Sequence, residues 1–407
     1  IRLTIKTTAP NEIYYIPTSG YVGGTYYHAY DWNVYFDDDD AVYKTRNAST
    51  IDHNGIEHTF QEAGDHKIRI TPYARPFTAG WGNAFGHKND NIGNANTAAN
   101  KQKLISIDAP LTTMAFAPKT SENTSGTNAS HMFANMFYGC ENLTTGAKIV
   151  DTYQLPPTIT NLSYFLYETH RSNTNLKEPI DLSGLSGWFS GNESITNLSY
   201  FLYQTHWENK DLKDLKDPID LDPIEDWFRN NQKIENLSNF LHRTYYNNTA
   251  LETTIDLTPL KYWFRNNQKI ENLSYFLYQT NTGNFNLTST INLTPLEEWF
   301  YKNESITDLA RFLTGIHDSN NPNITSTIDL TPLKYWFINN NKITNLEYFL
   351  HSIHAGNFNL TSAINLTPLE GWFYKNESIT NLSYFLSSTH QGNTILTSTI
   401  NLTPLKY

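Results

Sequence analysis

From about residue 151 onward, apolar positions recur in two alternating phrases. One is typified by TINLTPLEEWF (Thr290–Phe300), the other by ITDLARFL (Ile306–Leu313). In the first, TINL alternates β-branched and polar residues, which predicts a short strand. TPLEEWF then predicts a helix start, with Thr294 as N-cap, Pro295 in the first turn and Glu297 three residues after the cap. YKNES breaks that helix, and ITDLARFL predicts a second short element, extended and then helical. The Trp-Phe pairs begin at Trp188, Trp227, Trp263, Trp299, Trp336 and Trp372, at spacings of 39, 36, 36, 37 and 36. The second phrase starts at Ile159, Ile195, Ile234, Ile270, Ile306, Ile343 and Ile379. One such unit cannot bury its own apolar stripe, whereas stacked units can. The expected fold over 151–407 is a repeat solenoid with a short parallel strand and helical turns in each coil of about 36 residues.

The first 110 residues follow another pattern. RLTIKT, IYYIPT, YDWNVYF, EHTFQEAGDHKIRITPY and LISIDAP read as short alternating strands, with Ile68 and Ile70 on one face and Lys67 and Arg69 on the other. This predicts an antiparallel β-sandwich over 1–110. Gly80 to Asn100 is rich in Gly and Asn and reads as a long loop. Residues 111–150 lead into the repeats, with HMFANMFYGCENLTT as a capping coil.

Stacking gives the charge pattern a meaning. After the leucine of the first phrase the chain carries Lys261, Glu297, Lys334, Glu370 and Lys406 in turn. The strand position carries Asp256, Asn292, Asp329, Asn365 and Asn401. Neighbouring strands lie about 4.8 Å apart, so identical coils would stack like charges, which is unfavourable. Alternation predicts an inter-coil charge ladder that fixes register. LTPLKYWF at Leu257 and Leu330 recurs after 73 residues, the signature of a duplicated two-coil block.

Composition narrows the function classes. With 29 basic and 40 acidic residues the formal charge is -11, which argues against a nucleic-acid partner. The single Cys140 excludes an intrachain disulfide and a cysteine-rich zinc site. No apolar run is long enough to cross a membrane. The chain opens on IRLTIKTT, a strand in progress, and closes on NLTPLKY inside a phrase. It therefore reads as a fragment whose anchor and export signal lie outside it.

MFYGCENLTT (Met136–Thr145) and the ITNLSYFL phrases resemble the BspA-like leucine-rich-repeat surface proteins. HTFQEAGDHKIRIT (His58–Thr71), after YDWNVYFDD (Tyr30–Asp38), resembles the PKD-like β-sandwich that precedes such repeats, without its turn glycines. The repeats are longer than that family's, with Trp-Phe added and cysteine dropped. The resemblance implies a leucine-rich-repeat-like solenoid behind an Ig-like sandwich, on a secreted or surface-anchored protein without catalysis. It further implies an adhesin for host extracellular matrix protein, a glycan or other cells.

Several residues carry candidate chemistry. Asp37, Asp38, Asp39 and Asp40 form a run that suits a hard cation such as calcium, although a solvated loop has the same composition. No other cofactor is implied. His170, His206, His317, His354 and His390 recur after the second phrase, with Tyr245 and Asn281 in the slot between. The row is a candidate metal site, an amphipathic loop position, or a contact surface along one edge. Sequons within the phrases, such as Asn197, Asn272 and Asn381, suit turn capping, as Asp308 in the same slot suggests. Those at Asn192, Asn303 and Asn376 lie in NES loops and are the glycosylation candidates. The tryptophans, beside Phe and Leu, are expected in the core. No nucleophile-elbow, phosphate-loop or HExxH spacing is present. Three functions follow in order: a non-enzymatic surface adhesin, a structural subunit self-assembling into a filament or sheath, and a carbohydrate-active protein.

Overall fold

The computed structural model describes residues 2–17, 19–22, 25–28, 32–37, 43–45, 55–72, 97–108, 134–143, 155, 159–173, 179–190, 192–209, 218–265, 267–300, 303–318, 321–337, 340–357, 359–374 and 376–406. The chain divides into two units, one comprising 1–170 and 180–195, the other 171–179 and 196–407.

In the first unit the alternating segments form antiparallel strands: β1 (Arg2–Thr7), β2 (Glu12–Ile16), β3 (Ser19–Val22), β4 (Thr25–His28), β5 (Trp32–Phe36), β6 (Tyr43–Thr45), β7 (Ile56–Phe60), β8 (Gly64–Pro72) and β9 (Leu104–Ile107). A five-stranded sheet has the order β6-β5-β8-β1-β9, and β2-β7 and β3-β4 pair separately. The period-2 pattern puts Leu3, Ile5, Val34, Phe36, Ile68 and Ile70 in the core, while Lys67 lies outward. β7 and β8 are consecutive, yet they enter different sheets. The chain crosses between them at Gln61–Ala63, a corner rather than a hairpin. The Gly- and Asn-rich stretch lies outside the described residues up to position 96, and its end forms the short helix α1 (Ala98–Lys101), capped by Thr97. Of the capping coil, 134–143 is described. There Met136, Phe137, Cys140 and Leu143 are buried, and the N–H groups of Asn135, Phe137 and Gly139 donate to the carbonyls of Ser163, Phe165 and Tyr167.

In the second unit the repeats stack in register, but each phrase folds differently from its local pattern. TPL forms a single 3₁₀ turn at Thr258–Leu260, Thr294–Leu296, Thr331–Leu333, Thr367–Leu369 and Thr403–Leu405. Among the described residues α-helix occurs only in α1 and α2 (Trp227–Asn230). Thr294 is inside its turn rather than capping it. The cap is Asn292, whose Oδ1 accepts the Thr294 N–H at 3.0 Å, as Asp256 and Asp329 do for Thr258 and Thr331 at 2.8 Å. TINL and its equivalents are extended without ladder partners. The parallel pairing belongs to the second phrase, through Asn197↔Asn236↔Asn272↔Asp308↔Asn345↔Asn381. From each of these, alternate N–H groups donate to the next repeat. Leu198, Tyr200, Leu202, Gln204, His206 and Glu208 bond the carbonyls of Asn236, Ser238, Phe240, His242, Thr244 and Tyr246.

That ladder needs left-handed backbone at every fourth residue. Tyr200, Gln204 and Glu208 have φ of 60°, 53° and 59°, and Asn239, Arg243 and Asn247 repeat this at 60°, 52° and 58°. A non-glycine residue there costs about 1–2 kcal/mol. Core burial offsets it, at about 1.5–3 kcal/mol per large apolar side chain. The repeats from Ile195 to Leu350 bury Leu or Ile, Trp and Phe from the first phrase and Ile, Leu, Phe and Leu from the second, while the last one leaves Leu382 exposed.

Tryptophan bolts the stack. Nε1 of Trp263, Trp299, Trp336 and Trp372 donates to the carbonyls of Ile224, Leu260, Leu296 and Leu333 in the preceding repeat, at 3.0–3.1 Å. Each indole also packs on the preceding repeat's phenylalanine, with ring centroids 4.2, 4.1, 4.0 and 4.0 Å apart.

Candidate binding face

The four-residue backbone period sorts the second phrase into inward and outward pairs. In NLSYFLYQT (197–205), Phe201 and Leu202 point into the core, while Tyr200 and Tyr203 flank them half-buried. The equivalent positions of successive repeats are Tyr200 and Tyr203, Asn239 and His242, Tyr275 and Tyr278, Arg311 and Thr314, Tyr348 and His351, Tyr384 and Ser387, of which Asn239, His242 and Thr314 are buried, Tyr384 is exposed and the tyrosines at 200, 203, 275, 278 and 348 are half-buried.

Their side chains form a continuous strip. Tyr203 lies 4.4 Å from His242, and His242 lies 5.6 Å from Tyr275 and 4.5 Å from Tyr278, measured between ring centroids. Arg311 bridges the next gap, its guanidinium 5.1 Å from the Tyr275 ring and 4.4 Å from Tyr348. Tyr348 then stacks on Tyr384 at 4.6 Å and 13°. Arg311 pairs with Glu347 at 3.8 Å, and Arg243 Nε donates to Gln279 Oε1 at 2.7 Å. Burial, with Arg243 and Arg311 nearby, holds His242 neutral, well below its ordinary pKa. The strip thus offers flat π faces, phenolic hydroxyls and two delocalised cations, Arg311 paired with Glu347 and Arg243 held by the Gln279 amide. Such a surface packs on apolar or sugar-ring faces and hydrogen-bonds at its edges.

The histidine row is not this surface. His170, His206, His317 and His354 are at most 1 % exposed, and His390 is half-buried. Their position falls on an inward pair of the same four-residue period. The rings stack in parallel, His317 on His354 and His354 on His390, both at 5.8 Å. Nitrogens stacked this way do not converge on one ion, and no cluster of three potential ligands exists among the described residues. Instead Nε2 of His317, His354 and His390 accepts the N–H of Ile291, Ile328 and Ile364 at 3.0 Å, and the Tyr245 hydroxyl accepts that of Ile219. These histidines are therefore neutral, with the proton on Nδ1. Burial pushes His317 down to about 3 and His170 to about 4.

The glycosylation candidates are also internal. Asn192, Asn303 and Asn376 are 0, 0 and 3 % exposed. Nδ2 of Asn303 donates to the Asn267 carbonyl at 3.2 Å, Asn376 to Asn340 at 3.2 Å, and Asn192 to Ile159 at 3.0 Å. Their Oδ1 atoms accept the N–H two residues on. A glycan would displace that buried bond. The sequons inside the phrases cap turns: Asn197, Asn272 and Asp308 each accept the N–H two residues later at 2.9 Å.

Lys261, Glu297, Lys334, Glu370 and Lys406 each follow a 3₁₀ turn, and among the described residues no ion pair within 4.0 Å joins Lys261, Glu297, Lys334 and Glu370 to one another. Lys261 and Lys334 instead lie over Tyr262 and Tyr335, at 5.4 and 5.2 Å. Inter-repeat ion pairs include Arg265–Glu298 at 3.0 Å and Arg311–Glu347.

Of the acidic run, Asp38, Asp39 and Asp40 lie outside the described residues. Asp37 accepts from His66 Nδ1 at 2.7 Å and from the Lys67 N–H at 2.8 Å. His66 Nε2 lies 3.0 Å from Thr7 Oγ1, so a hydroxyl, an imidazole and a carboxylate align in a way the sequence did not reveal. Thr7 is 2 % exposed, and its hydroxyl also accepts the Gly64 N–H at 3.1 Å. With Thr7 and His66 buried and Asp37 at the surface, the trio ties down the corner between β7 and β8. No protein-family model, curated protein or solved structure matches the chain.

Proposed function

We propose that this chain is a non-enzymatic extracellular surface protein acting as an adhesin. Its repeats form a leucine-rich-repeat-like solenoid behind a PKD-like sandwich, and the solenoid binds a host matrix protein, a glycan or another cell-surface protein. The observation that carries this reading is the strip of rings from Tyr200 to Tyr384, which Arg311 bridges where one of the six consecutive repeats has no ring. Buried tryptophan and phenylalanine already stabilise the stack. A second aromatic row, half-buried at Tyr200, Tyr203, Tyr275, Tyr278 and Tyr348 and exposed at Tyr384, leaves part of its ring area accessible, as binding surfaces do. Repetition supports multivalent grip on an extended ligand.

The test is a matrix-protein and glycan binding screen of the wild-type chain and of Tyr275→Asn/Tyr348→Asn. Asn239 occupies the same slot with the same left-handed backbone, so this variant keeps the fold. A ligand whose binding falls about tenfold or more, the loss of one or two aromatic contacts, supports the reading. Binding that ignores the substitution overturns it. Regular filaments of the purified chain in negative-stain electron microscopy would favour a structural subunit instead.

A further inference from the structure

The outward face of the five-stranded sheet carries a charge arrangement that the fold alone does not explain. Arg2 in β1 stands directly opposite Arg69 in β8, and Thr4 stands opposite Lys67. Ser106 in β9 pairs with Thr4 on the other side, and Tyr35 in β5 pairs with Arg69. The three cations therefore occupy adjacent positions on one face, and like charges in opposed register destabilise a sheet. Among the described residues none of them has an ion-pair partner. The Arg69 guanidinium is held 3.8 Å above the Tyr35 ring. Asp108, which lines the same depression, accepts the hydroxyls of Thr4 and Ser106, both at 2.6 Å, while Asp37, beside Lys67, is held by His66 and the Lys67 N–H. Arg2, Thr4, Tyr35, Lys67, Arg69 and Asp108 line a shallow depression of about 540 Å³, within the size range of small-ligand clefts.

We propose that this face binds an acidic polysaccharide, its sulfate or carboxylate groups held by Arg2, Arg69 and Lys67. Guanidinium forks match planar or tetrahedral oxyanions bidentately. A bound oxyanion would remove the repulsion between the opposed arginines. β1 and β8 are interior strands, paired on both sides, so no backbone edge is free to add a peptide strand. Recognition must come from side chains. Asp108 would repel a densely acidic peptide, but its carboxylate retains acceptor capacity for sugar hydroxyls. The three cations, one carboxylate and two hydroxyls that line the depression suit a sparsely charged, hydroxyl-rich chain.

The experiment is titration calorimetry of the whole chain with dextran sulfate, polygalacturonate, neutral dextran and polyglutamate. Binding to dextran sulfate, polygalacturonate or both is expected, and the two arms separate sulfate from carboxylate. Neutral dextran should not bind, and affinity should fall between about 50 and 200 mM salt. Arg2→Gln/Arg69→Gln should weaken binding by about tenfold or more, since each loses a charged hydrogen bond. The same variant should melt no lower than wild type, because it removes opposed charges. Lys67→Gln gives an independent second readout. The proposal is overturned if neither acidic polysaccharide binds, if the variants bind like wild type, or if polyglutamate binds as tightly. Tyr275→Asn/Tyr348→Asn should leave this binding intact, so its failure and that of the aromatic strip are separable.

Discussion

Lowering the pH from 7.5 to 5 should destabilise the repeats through His317 and His354. Each ring accepts a backbone N–H at Nε2 while buried. Protonation would replace that acceptor with a donor and bury a charge. Burial accordingly moves His317 from an ordinary 6.5 to about 3, and His354 well below its ordinary value. For a depressed histidine the stabilisation is complete above the unfolded pKa. It is lost as pH falls below 6.5, because the unfolded chain takes up protons that the folded chain refuses. The slope is about 1.4 kcal/mol per pH unit per histidine. At pH 5, 1.5 units below that value, the pair accounts for about 4 kcal/mol of a net stability of roughly 5–15 kcal/mol. Asp318, which burial pushes up to about 6, acts in the opposite sense, so the comparison needs an internal control. Tyr245 supplies it, since a tyrosine hydroxyl fills the same slot with the same acceptor role. Urea unfolding of wild type and His317→Tyr/His354→Tyr, followed by tryptophan fluorescence at both pH values, should show a wild-type loss about 4 kcal/mol larger. Equal losses in the two proteins would refute the reasoning.

The same column contains a gap. Asn281 occupies the slot with both amide atoms buried and without a hydrogen-bond partner, so Asn281→His should reach the Ile255 N–H and raise stability by about 0.5–1.5 kcal/mol, read as a higher Tm. Secretion of the chain from a glycosylating host should leave Asn192, Asn303 and Asn376 unmodified by peptide mass spectrometry, and Asn303→Ala should cost about 1–3 kcal/mol by leaving the Asn267 carbonyl unpaired. Lys334→Glu, which places three acids in a row with Glu297 and Glu370, should change stability by less than about 0.5 kcal/mol at low salt, because no ion pair is lost. A salt-reversible drop in Tm would restore the contact ladder.

The stacking was legible because its signals are strong and local: Trp-Phe at near-constant spacing, and Asp or Asn two residues before each TPL turn. The element inside each repeat was not legible. Sequence reasoning weighs periods of 2 and 3.6, while the second phrase runs on a period of four, with Phe201–Leu202 and Thr205–His206 inward. That pairing is visible in SYFLYQTHW once left-handed residues at every fourth position are allowed. The aromatic strip was hidden for the same reason, since Tyr200 and Tyr203 do not share a face in a strand. For the histidine row the sequence left a metal site, a loop position and a contact surface open, because nothing local shows that His317, His354 and His390 each accept a backbone N–H 26 residues earlier. The sheet face was half legible: alternation put Lys67 and Arg69 outward, but only the strand register brings Arg2 against Arg69.

The tryptophan bolts, the asparagine amides and the alternate backbone bonds all join a repeat only to its immediate neighbour. Under tension applied along the chain, such an array yields one link at a time. Each release lengthens the polypeptide by the contour of about 36 residues, roughly 120–130 Å at full extension, while the remaining links still carry the load. Force spectroscopy would record this as a sawtooth of near-equal steps. A chain built this way would yield to load gradually, repeat by repeat, instead of all at once.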